Sequence, residues 1–214
     1  MQAERPDRLA IVFAKAPMPG QVKTRLIPAL GAEGAAMLHA ALTERTVATA
    51  KRSRARVELC VSPDVHHSFF DDCRETYGIA LHAQGEGALG ERMLRALERG
   101  LAIHREVVIV GADCPAVTPV HLDAAFAALA THDIALYPAR DGGYVAIAAR
   151  RVHPAMFDGI AWGGSDVYSR QRAVLRECGL SCAALETLWD VDRPEDLPLL
   201  SALRPPLAYA LPDV

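Results

Sequence analysis

Short, continuously apolar runs alternate along the chain with stretches whose apolar positions return every three or four residues. The first kind suits strands buried on both faces, and the second suits helices that lay one side against a sheet. The pattern predicts strands at 9–14, 56–61, 79–83, 107–111, 134–138, 144–149 and 182–185. The run "VVIVG" at 107–111 contains no polar position, as a central covered strand requires. Helix signals fall between the strands. Thr118 is a cap, Pro119 suits the first turn, and Leu122, Ala125, Phe126 and Leu129 share one face. Leu89, Met93, Leu97 and Leu101 repeat every four residues, a stripe that reads as core packing.

Strand and helix patterns alternating from end to end predict βαβ units and a three-layer α/β/α fold with a mainly parallel, mixed sheet. No repeat, low-complexity segment or linker divides the chain, so residues 1–214 are expected to form a single domain with its core at 8–200. That length is enough to bury one substantial core.

Composition narrows the class. The chain is 51% hydrophobic and 23% charged, with a formal net charge of −3. This excludes a disordered tail and argues against a nucleic-acid partner, since basic character is confined to a cluster at Lys15, Lys23 and Arg25. Five cysteines, with "CGLSC" matching neither a CxxC nor a zinc pattern, are expected to be reduced thiols. The adjacent His66 and His67 lack ligand spacing. The apolar run near the N-terminus is too short for a signal peptide, and no stretch is expected to approach a membrane span. A cytoplasmic protein without membrane insertion follows as the expectation.

Ligands of open α/β sheets bind beyond the carboxyl ends of the strands, and three such loops carry chemistry. In "AKAPMPGQVKTRL", Lys15, Lys23 and Arg25 surround a Pro- and Gly-rich turn. Gly20 would permit close backbone approach, and the cations can meet phosphate oxygens. This is not a Walker A loop, because Gln21 and Val22 separate Gly20 from Lys23. The bland alternative is a solvated surface loop. In "VGADCP", Asp113 at a strand end suits Mg2+ or Mn2+ beside a phosphate, or else a local cap. In "ARDGGYVAI", Asp141, Gly142 and Gly143 form either a bare backbone surface for a ligand or a plain hairpin turn. In "LWDVDRPEDL", Asp190 and Asp192 point to one side if extended and ask for a cation, although Asp192 could instead prepare the helix at Pro194.

Together "AKAPMPGQVKTRL", "LGERM", "VGADCP", "DGGY" and "DVDRPEDL" occur in the order seen in a bacterial family of molybdenum-cofactor guanylyltransferase-like proteins and glycosyltransferases. The resemblance runs from Arg8 to Leu200 and extends, more distantly, to phospholactate guanylyltransferase. It implies a GT-A-type nucleotide-diphospho-sugar transferase fold and a nucleoside triphosphate or nucleotide-sugar donor with a small-molecule acceptor. By this resemblance Lys15, Gly20, Lys23 and Arg25 hold the nucleotide phosphates, and Lys23 and Asp113 are the candidate catalytic residues. Asp113, Asp192 and Asp190 are the candidate ligands for Mg2+ or Mn2+. Asp141, Gly142, Gly143, Tyr144 and Trp162 shape the substrate pocket. The chain departs from the family at "AWGGSDV", where Trp162 remains but the hydroxyl pair expected after it does not. A second departure is "DGGYVAIAAR", which replaces the usual Leu-Ile-Gly continuation with another apolar strand. Nucleotidyl or glycosyl transfer is the expected reaction; the alternative is a catalytically silent nucleotide-binding or regulatory module.

Overall fold

The computed structural model describes residues 8–209; the ends of both termini considered above lie outside them. Its strands are β1 (Arg8–Lys15), β2 (Arg56–Ser62), β3 (Ala80–Ala83), β4 (Glu106–Gly111), β5 (Ile134–Pro138), β6 (Tyr144–Ala149) and β7 (Cys182–Ala184). Along β1 the side chains alternate between two cores. Ala10, Val12 and Ala14 enter one, and Leu9 and Ile11 the other. That is how a strand covered on both faces distributes a continuous apolar run.

Helices α1 (Ile27–Lys51), α2 (Ser68–Tyr77) and α4 (Pro119–Ala128) cover the first face through Val47, Phe70 and Phe126. Helices α3 (Leu89–Leu101) and α5 (Val167–Glu177) cover the second through Met93, Leu97 and Leu175. Thr118 caps α4 as its sequence predicts, accepting from the His121 N–H at 3.4 Å. All five cysteines are free thiols.

The seven strands run in the order β3-β2-β1-β4-β6-β5-β7, giving the mostly parallel mixed sheet of nucleotide-diphospho-sugar transferase structures. Strand β6 alone is reversed, pairing antiparallel with both β4 and β5. Its connection to β5 is the short "ARDGG" segment, far too short for the helical crossover that a parallel pair needs. The hairpin alternative for this segment is therefore the one the backbone takes.

The helical segment Thr24–Lys51 is long and apolar enough, by length and composition, to cross a membrane. This corrects the expectation that no stretch approaches a span. Its apolar positions have a use within the fold: Leu26, Leu30, Leu38 and Leu42 form a third core with Val191, Leu197 and Leu200. The segment is also not one continuous helix, because Gly31 breaks it at φ 71° and ψ 169°. This third core fixes the chain near the C-terminus against the start of α1, and the loop that carries Lys23 leads directly into it.

Candidate functional site

The carboxyl ends of β1 and β4 lie side by side in the sheet, and the loops that leave them enclose a cleft of about 480 Å³. Lys15, Lys23, Arg25 and Arg92 bring positive charge to its lining, and Asp113 and Asp192 bring negative charge. Of the expected phosphate ligands, only Gly20 is outside this lining. It has φ 79° and closes the turn in which Gln21 N–H donates to Met18 O at 3.0 Å, so its role here is the turn.

Lys23 is held unlike a surface lysine. Its side chain is only 5% exposed, and its Nζ donates to Val191 O at 2.5 Å and to Asp113 Oδ2 at 3.4 Å. Asp192 Oδ1 lies 4.0 Å from the same nitrogen, and the exposed Arg25 guanidinium completes the group by pairing with Asp192. Its backbone is left-handed at φ 48°, alone among the described non-glycine residues. The Lys23 ammonium holds the Asp113 carboxyl below its usual range, against the opposing cost of burial. Asp113 and Asp192 thus share a cation in this structure, and that cation is Lys23. Treating Lys23 as an ordinary surface position, as the loop's composition suggests, is corrected by this burial.

Asp190 and Asp192 share the lining of one outer cleft with Arg25, Arg140 and Arg193, but each also lines a cleft that the other does not. Val191 between them is fully buried, and its N–H donates to Asp113 O at 3.0 Å. This docks the segment across the end of β4, so that Asp192 faces the basic cleft and Asp190 faces a second one. Asp192 does not cap the helical turn that follows. Asp196 does, with Oδ2 accepting from the Asp192 and Arg193 N–H groups at 3.0 and 2.8 Å. Among the described residues no three His, Cys, Asp or Glu side chains are grouped closely enough to hold a metal by themselves. A pair of carboxylates already arranged around positive charge does suit Mg2+, which usually takes one or two carboxylates and completes its shell with substrate phosphates and water.

The second cleft, of about 270 Å³, adjoins the first at Phe13, Leu89, Gly111 and Asp113. Asp141, Gly143, Tyr144 and Trp162 line it, together with Asp190. Tyr144 and Trp162 meet edge to face at 6.2 Å, and the Tyr144 hydroxyl donates to Gln171 Oε1 at 3.1 Å. Leu89 and Met93, predicted as core, both pack in the second core and contribute to this wall. Burial, reinforced by the Asp113 and Asp141 charges, pushes the Asp190 carboxyl up to about 6. Asp141 closes its own turn by accepting from the Gly143 N–H at 2.8 Å. Gly142 offers no bare surface to a ligand, since a Cβ there would stand 1.9 Å from Ser165 O. What needs its missing side chain is the neighbouring backbone.

Three residues escaped the sequence analysis as site residues. His39 in α1 is 7% exposed, donates from Nε2 to Lys15 O at 3.0 Å, and leaves Nδ1 buried without a partner. Burial lowers its pKa, keeping the ring neutral. Gln84, after β3, donates to Ala14 O at 3.2 Å and to Cys60 O at 3.0 Å, tying β1 to β2. Its Oε1 accepts from Arg92 Nη1 at 2.7 Å, while Arg92 Nε is buried without a partner. Only the segment "LGERM" pointed towards Arg92; a helical histidine and a lone glutamine give no pattern.

Comparison with known proteins gives this geometry a context. The chain is 32% identical to a Desulfovibrio desulfuricans G20 protein assigned as a nucleotide-diphospho-sugar transferase, with a TM-score of 0.83 over 90% of this chain and 85% of that one. It is 36% identical over 99 residues to 3-phospho-D-glycerate guanylyltransferase of Phenylobacterium zucineum (strain HLK1). That match spans 44% of this chain and 44% of the relative, so the chain covers less than half the length of this curated protein. The 4-diphosphocytidyl-2C-methyl-D-erythritol synthase of Anaerococcus prevotii DSM 20548 shares the fold at 12% identity, with a TM-score of 0.63 over 93% of this chain and 96% of that one. The similar proteins are thus nucleotidyltransferases and nucleotide-sugar transferases, and they lend no specific support to the molybdenum-cofactor label. A family model described as "Uncharacterized protein conserved in bacteria (DUF2064)" matches residues 45–178, and the chain belongs to that family.

Proposed function

We propose that this protein is a metal-dependent transferase acting on a nucleoside triphosphate or a nucleotide sugar, with the phosphates in the basic cleft and a small-molecule acceptor beside it. The observation that carries this reading is the convergence of Lys15, Lys23, Arg25 and Arg92 on one cleft that also holds Asp113 and Asp192. Four cations suit a di- or triphosphate, with the arginines able to grip oxygens in bidentate fashion. Asp113 and Asp192 would hold Mg2+ or Mn2+ together with those phosphates. The bound ion would supply Lewis-acid stabilisation of the charge that develops on the phosphate oxygens.

Lys23 then has two partners to choose between. Its ammonium neutralises Asp113 and Asp192 in the free protein, and with nucleotide bound it is free to turn towards the phosphates and stabilise the leaving group. In a nucleotidyl transfer an acceptor oxygen forms a bond to the α-phosphorus and pyrophosphate leaves. In a glycosyl transfer the acceptor oxygen bonds to the anomeric carbon and a nucleoside diphosphate leaves. Both use the same cations. The formal net charge of −3 favours small substrates over nucleic acid.

The test is incubation with nucleoside triphosphates and nucleotide sugars, Mg2+ or Mn2+, and a panel of acceptors, scored for pyrophosphate against nucleoside diphosphate. Release of either product, lost on chelation, supports the transferase. Nucleotide binding with neither product released under any pairing would leave a silent binding module.

A further inference from the structure

The two clefts differ in charge although they meet at Asp113. The first carries four basic side chains; the lining of the second has no lysine, arginine or histidine. Its polar side-chain groups are the Asp113, Asp141 and Asp190 carboxylates, the Tyr144 hydroxyl and the Trp162 indole N–H, against walls that include the Trp162 ring and Val167. Lys23 already pairs with Asp113, whereas no cation among the described residues pairs with Asp190 or Asp141 in this cleft. Arg140 and Arg193 open, with Arg25, on a third cleft that Asp141, Asp190, Asp192 and Asp196 also line. A divalent ion at Asp113 and Asp192 would be matched by those carboxylates and by the nucleotide phosphates, leaving no cation over for the second cleft.

We propose that Asp141 and Asp190 are specificity-determining residues, making the second cleft exclude phosphorylated and carboxylated groups, so that the part of the substrate seated beside Trp162 and Tyr144 is uncharged and bears hydroxyls. A phosphate or carboxylate entering here meets two like charges and no donor cation. A hydroxyl donates to a carboxylate in a short, charge-assisted hydrogen bond, while an apolar ring face rests on the aromatic pair. This runs against the anionic substrate in the name of the P. zucineum relative. The proposal rests on the first cleft being the phosphate site. Its ligand has two chemical sources, the sugar of a nucleotide-linked donor or a free acceptor, and the experiment separates them.

The test uses the Trp189→Phe protein, in which Trp162 is the remaining tryptophan. Thermal shift with nucleotides and Mg2+ first reports on the basic cleft, and if no nucleotide shifts the protein, the phosphate-site reading fails and takes this proposal with it. Trp162 emission is then titrated with D-glucose, D-glucose 6-phosphate, D-gluconate and 3-phospho-D-glycerate, each with and without nucleotide, and with UDP against UDP-glucose. The expected result is a response to the neutral sugar, with the anionic compounds about tenfold weaker or worse. A response to UDP-glucose beyond that to UDP assigns the donor sugar; a response to free glucose assigns the acceptor. The Asp141→Asn, Asp190→Asn double variant should narrow the gap between neutral and anionic probes. A nucleotide shift accompanied by anion binding equal to or tighter than neutral binding overturns this proposal alone. So does a gap unchanged in the double variant, or silence of Trp162 towards every neutral probe.

Discussion

Lys23 reaches Asp113 across ninety positions of sequence, Nζ to Oδ2 at 3.4 Å, while its own backbone sits in the left-handed region at φ 48° and ψ 41°. A non-glycine residue held there costs on the order of 1–3 kcal/mol, and it persists when the surroundings over-determine it. Here the surroundings are the Val191 carbonyl and two carboxylates, all drawn to one ammonium.

Removing that ammonium should destabilise the protein before any ligand is considered. Lys23→Ala leaves Asp113 without its cation while Asp192 keeps Arg25, and since both carboxylates remain partly solvated the expected loss is about 1–3 kcal/mol. Lys23→Gly should lose roughly 1 kcal/mol less, because glycine accepts the left-handed backbone. Arg25→Ala, at a side chain 60% exposed, should stay within about 1 kcal/mol of wild type. Urea denaturation of the free proteins checks the order, and equal losses at Lys23 and Arg25 would contradict the structural account.

Stability should respond to pH with opposite signs at Asp113 and Asp190. The Asp113 carboxyl is depressed, so its contribution is present above the unfolded value near 4 and is lost as the pH falls through the lower folded value. The Asp190 carboxyl is raised to about 6, so its contribution is complete below the unfolded value and is lost as the pH rises through 6. Asp190→Asn should therefore stabilise the protein at pH 8 by about 1–3 kcal/mol, since each tenfold change in proton affinity on folding is worth about 1.4 kcal/mol, and the gain should vanish near pH 4. Denaturation curves at the two pH values decide this; a gain that did not shrink on acidification would show that ionisation is not its source.

Asp192 and Asp196 lie four residues apart and should fail differently. Asp196→Ala removes the acceptor for two backbone N–H groups at a helical turn and should cost about 1 kcal/mol of stability, with nucleotide affinity little changed. Asp192→Asn should instead weaken the Mg2+-dependent part of nucleotide binding, seen as a smaller thermal shift at fixed nucleotide that chelator no longer alters. Loss of metal dependence in the Asp196 variant and not in the Asp192 variant would reverse the assignment.

The turn between β5 and β6 is a sterically closed position. Gly142→Ala would place a Cβ 1.9 Å from Ser165 O at a backbone φ of 91°. The Trp162–Ser165 loop would have to move, with an expected cost above about 2 kcal/mol. The readouts are the melting temperature and, in the Trp189→Phe protein, Trp162 emission. An unchanged emission spectrum with full stability would mean that the loop does not rest on this glycine.

Residue pattern and chain length carried most of the architecture. Continuous runs such as "VVIVG" have one low-energy place, in a sheet covered on both sides, and the strands follow them closely. The short "ARDGG" connection likewise leaves β6 no choice but to reverse. The loops after the strands were legible as chemistry because their residue types are local facts. How those residues share charge was not. Val191, one apolar residue between two aspartates, lets Asp192 reach the basic cleft and Asp190 the second one because it is buried in the third core and hydrogen-bonded to the Asp113 backbone. Lys23 becomes a counter-ion rather than a surface lysine because that same docking brings the Val191 carbonyl within reach of its Nζ. Arg92 and His39 enter the cleft from helices whose periodicity says only which side is apolar. By itself, then, the sequence determined the strands and the residue types at the sheet edge, since these depend on neighbours a few positions away, and it left the hairpin as one of two readings of "ARDGG". Only the tertiary structure decided which carboxylate meets which cation, because burial and Coulomb energy depend on distances between residues far apart along the chain.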